Sequence, residues 1–207
     1  MRGARRILGT ALAAGALLAG CGGDAPTAAP PASPETPQRV TGLPPGWTVE
    51  RNAAQGFSLG APPGWRQGER CLDGNGSDVP VTVLCSPDKL VTLSISADRT
   101  GEALEIEPGE FAARAMAGLA DSYMGLEPGA PKPFEARYEG AFVEATAKAL
   151  ATGVRQNVIV VVLRRDDIAN FTAVIAANAE QPTGPAVKLA EEALRTLRSQ
   201  PVRAPGG

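Results

Sequence analysis

The run Val154-Arg155-Gln156-Asn157-Val158-Ile159-Val160-Val161-Val162-Leu163 decides the fold. From Asn157 onward nearly every side chain is a branched aliphatic, stiff at χ1 and suited to a pleated surface. The run has the length of a strand and no polar alternation, so both of its faces are buried and it lies in the middle of a sheet. The charged residues Arg164-Arg165-Asp166-Asp167 form a solvated turn. Asn170-Phe171-Thr172-Ala173-Val174-Ile175-Ala176-Ala177 then returns as the antiparallel neighbour.

Working outward, Ala141–Leu150 reads as a long strand, with Phe134–Tyr138 before it and a hairpin signal at Glu139-Gly140. Val79–Ser86 and Leu90–Ala97 are β-rich runs joined by Pro87-Asp88-Lys89, a second hairpin. In it Leu93, Ile95 and Ala97 face one way and Thr92, Ser94 and Ser96 the other. Trp47-Thr48-Val49 opens the domain, and Phe57-Ser58-Leu59 is a short alternating strand ended by Ala61-Pro62-Pro63-Gly64-Trp65. The two Pro-Pro-Gly-Trp quartets, 44–47 and 62–65, read as two turns rather than a repeat. Helical period appears twice. Phe111, Ala115, Leu119, Met116 and Tyr123 make an apolar stripe over 109–124, with Pro108 suited to the helix start. Val187, Ala190, Leu194 and Leu197 fall on one face over 184–198. Strands, helix, strand hairpins and helix in that order predict an α+β domain over 47–199, a mainly antiparallel sheet with packed helices.

The ends of the chain read differently. Residues 1–6 carry Arg2, Arg5 and Arg6; residues 7–19 are a short apolar run; Leu18-Ala19-Gly20-Cys21 follows. Charge, length and order are those of a signal peptide over 1–20, and the apolar run is shorter than the roughly 20 residues that span a bilayer. The Leu-Ala-Gly-Cys end resembles the bacterial lipobox. That resemblance implies diacylglycerol transfer to the Cys21 thiol, cleavage after Gly20 and a protein held at the extracytoplasmic face of the cell membrane by acyl chains. From Cys21 to 46 the chain is rich in Pro, Ala, Thr and Gly and has almost no bulky apolar side chain before Val40, which predicts an extended tether. Residues 200–207 read as a frayed tail.

Composition narrows the function. The 207 residues are 43% hydrophobic and 20% charged, enough for one domain with a real core. Net charge is −2, and removal of Arg2, Arg5 and Arg6 with the leader takes it to −5. A mildly acidic chain lacks the electrostatic footprint of nucleic-acid binding and is expected to gain nothing from anionic lipid headgroups. There is no histidine, which removes the commonest general base, the Ser-His and Cys-His nucleophile systems and most zinc and iron sites. With Cys21 acylated, Cys71 and Cys85 remain, and outside the membrane the expected state of such a pair is a disulfide. The intervening run is rich in Gly, Asn, Asp and Ser, and closing about 15 residues would remove roughly 3 kcal/mol of unfolded-state freedom.

Over about 47–199 the pattern resembles the PsbP-like fold, shared by Mog-type Ran-binding proteins and by DcrB-like and LpqN-like bacterial lipoproteins. The residues that carry the resemblance are Gly56-Phe57-Ser58-Leu59 with Pro63-Gly64-Trp65, the hairpin strands, the Phe111–Tyr123 helix and Arg137-Tyr138-Glu139-Gly140 leading into a long strand. A closing helix ends on Leu194-Arg195-Thr196-Leu197-Arg198-Ser199. The resemblance implies a non-enzymatic binding or accessory module and names no ligand.

Three motifs point elsewhere. Ser86-Pro87-Asp88-Lys89 matches the Ser-x-x-Lys of penicillin-binding proteins, but it sits in an expected hairpin turn, and neither Ser-Asp-Asn nor Lys-Thr-Gly follows. Asp73-Gly74-Asn75-Gly76-Ser77-Asp78 starts like an EF-hand loop, then places Asp78 where Gly belongs and Leu84 where Glu belongs, so a flexible loop is the better reading. Glu102, Glu105, Glu107 and Glu110 favour the dipole of the helix they precede. The sequence therefore predicts an anchored, extracytoplasmic, non-catalytic module without cofactor or metal, whose partner is an envelope protein. The alternative is a carrier or sensor of a small apolar ligand, perhaps a lipid intermediate, held in a groove under the Ala- and Gly-rich 109–124 helix.

Overall fold

In the computed structural model residues 40–68, 81–166 and 168–202 are described, all within one unit, Pro34–Gly207. Along the chain the strands and helices are β1 (Thr48–Asn52), β2 (Phe57–Ala61), β3 (Arg66–Gln67), β4 (Thr82–Cys85), β5 (Val91–Asp98), α1 (Gly101–Glu105) and α2 (Pro108–Ala117). They continue with β6 (Tyr123–Met124), β7 (Lys132–Pro133), β8 (Glu139–Ala149), β9 (Arg155–Arg165), β10 (Ala169–Asn178), α3 (Gly184–Arg195) and β11 (Arg198–Ser199).

The aliphatic run forms β9, paired antiparallel over ten positions with β10 on one side and over ten with β8 on the other. The large sheet runs β3-β4-β5-β10-β9-β8-β6, and β7 also pairs with β8. On one face Val158, Val160 and Val162 of β9 pack with Val143 and Ala145 of β8 beneath Ala112 and Met116 of α2. On the other, Val161 and Leu163 join Leu93, Ile95, Phe171, Ala173 and Ile175. That second core is roofed by Ala190, Ala193 and Leu194 of α3, by Leu197, and by Phe57 and Leu59 of a small sheet ordered β1-β2-β11. The layers are thus helix, large sheet, then helix with small sheet: the α+β class the sequence predicts. The β4–β5 hairpin has the expected facing, with Leu93 and Ile95 wholly buried and Ser94 and Ser96 half-buried on the opposite side.

Four expectations are corrected. The 109–124 helix ends at Ala117, where the Gly118 amide caps back onto Arg114 O; turns follow, and Tyr123-Met124 pair with Ala149 and Lys148 as β6. Leu119 and Tyr123 still pack against the α2 core, so the apolar spacing persists after the helix has stopped. The stretch 134–138 is a loop rather than a strand, and Glu139-Gly140 begin β8 rather than turning the chain. Gly140 is glycine because a Cβ there would lie 2.7 Å from Leu163 Cδ2 and 3.0 Å from Phe134 O, a need for space and not for a bend. The closing helix ends at Arg195, and Arg198-Ser199 pair with Ser58 and Phe57 as a third small strand. Finally, β2 is buried at all five positions instead of alternating. A Cβ at Gly60 would fall 2.5 Å from Leu43 Cδ2 and 3.0 Å from Trp47, so the chain entering the domain lies on the strand's outer side.

Met116 is fully buried in the α2 core, whereas Met124 is exposed. Met116→Ala should lower unfolding stability by about 2–5 kcal/mol in urea melts, the range for a truncated core side chain. Met124→Ala should move it by less than about 0.5 kcal/mol.

Candidate functional site

Along β8 the side chains alternate. Ala141, Val143, Ala145, Ala147 and Ala149 are buried; Phe142 is half-buried, and Glu144, Thr146 and Lys148 are exposed on the face opposite α2. α3 lies over β10, β5 and β2, and among the described residues no helix roofs this half of the face. Beside α3 it forms a groove of about 280 Å³ lined by Pro133, Phe134, Glu135, Phe142, Ile159, Glu191 and Arg195.

Its floor is apolar and its rim is charged. Phe134 meets Phe142 edge-on, with centroids 6.3 Å apart. The Arg195 guanidinium lies 5.1 Å from the Phe134 ring centre, donates from Nε to Glu135 O at 3.3 Å and stands 3.6 Å from the Glu191 carboxylate. Lys132 Nζ sits 5.6 Å from the Phe142 ring centre and is 2.8 Å from Glu144 Oε2. Exposed cation–π contacts of this kind are worth about 0.5–1 kcal/mol each, enough to hold the aromatic side chains in place. Among the described residues no hydroxyl, thiol or imidazole lines the groove; its floor is aromatic and its rim carries paired charges.

The residues singled out from sequence lie elsewhere or outside the described residues. Cys21, Cys71 and Asp73–Asp78 fall outside them. Cys85 ends β4, 9% exposed and opposite Arg66 of β3, with Sγ 3.8 Å from where a Cβ on Gly68 would stand. Ser86 and Lys89 form the turn the sequence predicts. Ser86 Oγ donates to Asp88 Oδ1 and accepts the Val91 N–H at 2.9 Å, and Lys89 adopts φ 60°. The hydroxyl is spent on the turn, and no helix starts at Ser86 as a Ser-x-x-Lys nucleophile requires. The Ser86 hydroxyl, then the Leu90 N–H, hold the Asp88 carboxyl below its usual range. With its folded value depressed, the turn gains stability above the ordinary carboxylate pKa and loses it as pH falls through the folded one. Arg164 to Asp166 enter the expected β9–β10 turn, with Asp166 at φ 43°. Glu110 pairs with Arg114 along α2.

The groove expected under the 109–124 helix does not form among the described residues. Ala112 and Met116 are wholly buried against Val143, Val158, Val160 and Val162, so the small residues bring the helix close to the sheet. Sequence reasoning missed the groove on the other face. Its signal was Phe142 in phase with Glu144, Thr146 and Lys148, an aromatic on a polar strand face. Among the described residues no group of three or more acidic or cysteine side chains converges as a metal site, and no helix is long and apolar enough to cross a membrane.

The layering and the mainly antiparallel sheet are those of the α+β Mog1/PsbP-like fold. The Ran-binding protein Mog1p of Saccharomyces cerevisiae is similar at a TM-score of 0.50, with 9% identity over 74% of this chain and 95% of that one. LpqN of Mycobacterium tuberculosis, involved in cell envelope biogenesis, is similar at a TM-score of 0.47, with 15% identity over 75% of this chain and 91% of that one. A Bacteroides thetaiotaomicron protein is similar at 0.47 and 18% identity over 77% of this chain, which spans about half (49%) of that protein's length. No protein-family model and no curated protein matches the sequence. At these identities the likeness is one of fold.

Proposed function

We propose that this chain is a bacterial lipoprotein, cleaved before Cys21, acylated there and held on the extracytoplasmic face of the cell membrane, where its domain serves as a non-catalytic binding or accessory module for an envelope protein. The observation that carries the reading is the order basic segment, short apolar run, Leu18-Ala19-Gly20-Cys21, Pro- and Ala-rich tether. The groove beside α3 supports a protein partner over a lipid cargo. At about 280 Å³ and open on one side, it takes an aromatic or aliphatic side chain, while the enclosed space a carried lipid needs is filled by the α2 core. Mog1p, a Ran-binding protein, is an instance of protein binding on this fold.

The Cys71–Cys85 disulfide belongs to the same reading. Cys85 Sγ lies 3.8 Å from where a Cβ on Gly68 would stand, and Gly68 precedes Cys71 by three residues. Three extended residues reach about 10 Å, which brackets the Cα separation of under about 7 Å that a disulfide needs.

Cys21→Ser should abolish labelling by a palmitate analogue and move the protein from the detergent phase to the aqueous phase, or leave an uncleaved precursor. Partitioning and labelling unchanged from wild type would refute the lipoprotein reading. In the purified chain Cys71 and Cys85 should resist alkylation until a reductant is added. Two thiols alkylated without it would remove the disulfide.

A further inference from the structure

Among the described residues four large apolar side chains are exposed, and two of them stand together at one end of the sheet: Met124, 55% exposed, and Leu150, 56% exposed. Register makes the group. Met124 of β6 is opposite Lys148 of β8, and Lys148 is opposite Arg155 of β9, so the three form one row across adjacent strands. Leu150 follows in the turn between β8 and β9, and its N–H donates to Ser122 O at 3.0 Å, two residues before Met124. Lys148 runs its stem along that turn, with Cε 3.5 Å from where a Cβ on Gly153 would stand. Neither Lys148 nor Arg155 makes an ion pair among the described residues. The next carboxylate along the strand, Glu144, is held by Lys132, and the loop carboxylates Asp121 and Glu180 pair with neither cation.

Single exposed apolar residues need no explanation. Two beside two unneutralised cations, on a hairpin end, define an amphipathic tip. A docked protein would find little to hold there, because stable interfaces take about 800 Å² from each partner. A lipid surface needs no matching shape. Its interface accepts apolar side chains among the headgroups, and long cationic stems reach the phosphates. We propose that this end of the β8–β9 hairpin is a membrane-contact site for anionic lipid, with Met124 and Leu150 entering the headgroup layer and Lys148 and Arg155 meeting phosphates. The proposal rests on the membrane-anchored reading, since a tether raises the local concentration of a weak contact. It adds a second, non-covalent point of attachment that sets which side of the domain faces the bilayer.

The test uses the chain from residue 22 to 207, which keeps tether and domain but carries neither leader nor acyl group. It is sedimented with vesicles of equal phosphatidylglycerol and phosphatidylcholine, and with phosphatidylcholine alone. The expected result is binding to the anionic vesicles, weaker on the neutral ones and suppressed by about 0.5 M salt. Lys148→Glu with Arg155→Glu should reduce that binding at least about tenfold. Met124→Asp with Leu150→Asp should reduce it comparably, and both doubly substituted chains should keep the wild-type melting curve. No binding to anionic vesicles, or binding that both pairs of substitutions leave unchanged, would overturn the proposal. Because this chain has no acyl group, its failure is distinct from failure at Cys21.

Discussion

Everything in the domain depends on one strand being buried on both of its faces. β9 donates Val158, Val160 and Val162 to the core under α2 and Val161 and Leu163 to the core under α3 and the small sheet. Each buried valine or leucine contributes about 1.5–3 kcal/mol relative to exposure, so this strand is the largest shared term of two otherwise separate cores. A slip of one residue would exchange the two sets of side chains, and over the aliphatic stretch Val158 to Leu163 that exchange costs less than usual. Register is held by its neighbours, where from Ala141 to Ala149 β8 alternates buried alanine or valine with the more exposed Phe142, Glu144, Thr146 and Lys148, and Phe171 stacks on Tyr138 and meets Phe57 edge-on.

The covering of the sheet is unequal. α3 and the small sheet roof β5 and β10 but stop short of β8, and α2 crosses β8 and β9 only on the opposite face. The uncovered half therefore carries the groove at its Phe142–Ile159 end and the Met124–Lys148–Arg155 row at the other. Between them Thr146 Oγ1 donates to Asn157 Oδ1 at 2.9 Å, a polar stretch that separates two apolar positions on one face. A strand face backed by a filled core keeps its shape, so both features sit on a rigid support.

The fold was legible where side-chain chemistry and backbone agree. The aliphatic β9, the β4–β5 hairpin and the amphipathic α2 and α3 carry periods that admit one reading each. The misreadings share a cause: local signals served tertiary purposes. Gly140 looked like a turn and is a packing requirement of Leu163. Tyr123 continued a helical stripe because it points at the same core from a strand. Phe134 and Tyr138 looked like strand residues and are loop residues buried by the groove wall and by Ser199, whose N–H donates to the Tyr138 hydroxyl at 3.0 Å. The groove itself is made by where α3 ends relative to β8, a relation between segments fifty residues apart, and only the phase of Phe142 hinted at it.

Because β9 belongs to both cores, they should open as one cooperative unit, and native-state hydrogen exchange reads this out residue by residue. Amides of Val158 to Leu163 should exchange only through global unfolding, with opening free energies equal to that from urea denaturation. Exchange of the β9 amides through a much cheaper opening, while α2 or α3 amides stay protected, would show that β9 does not hold the two cores together.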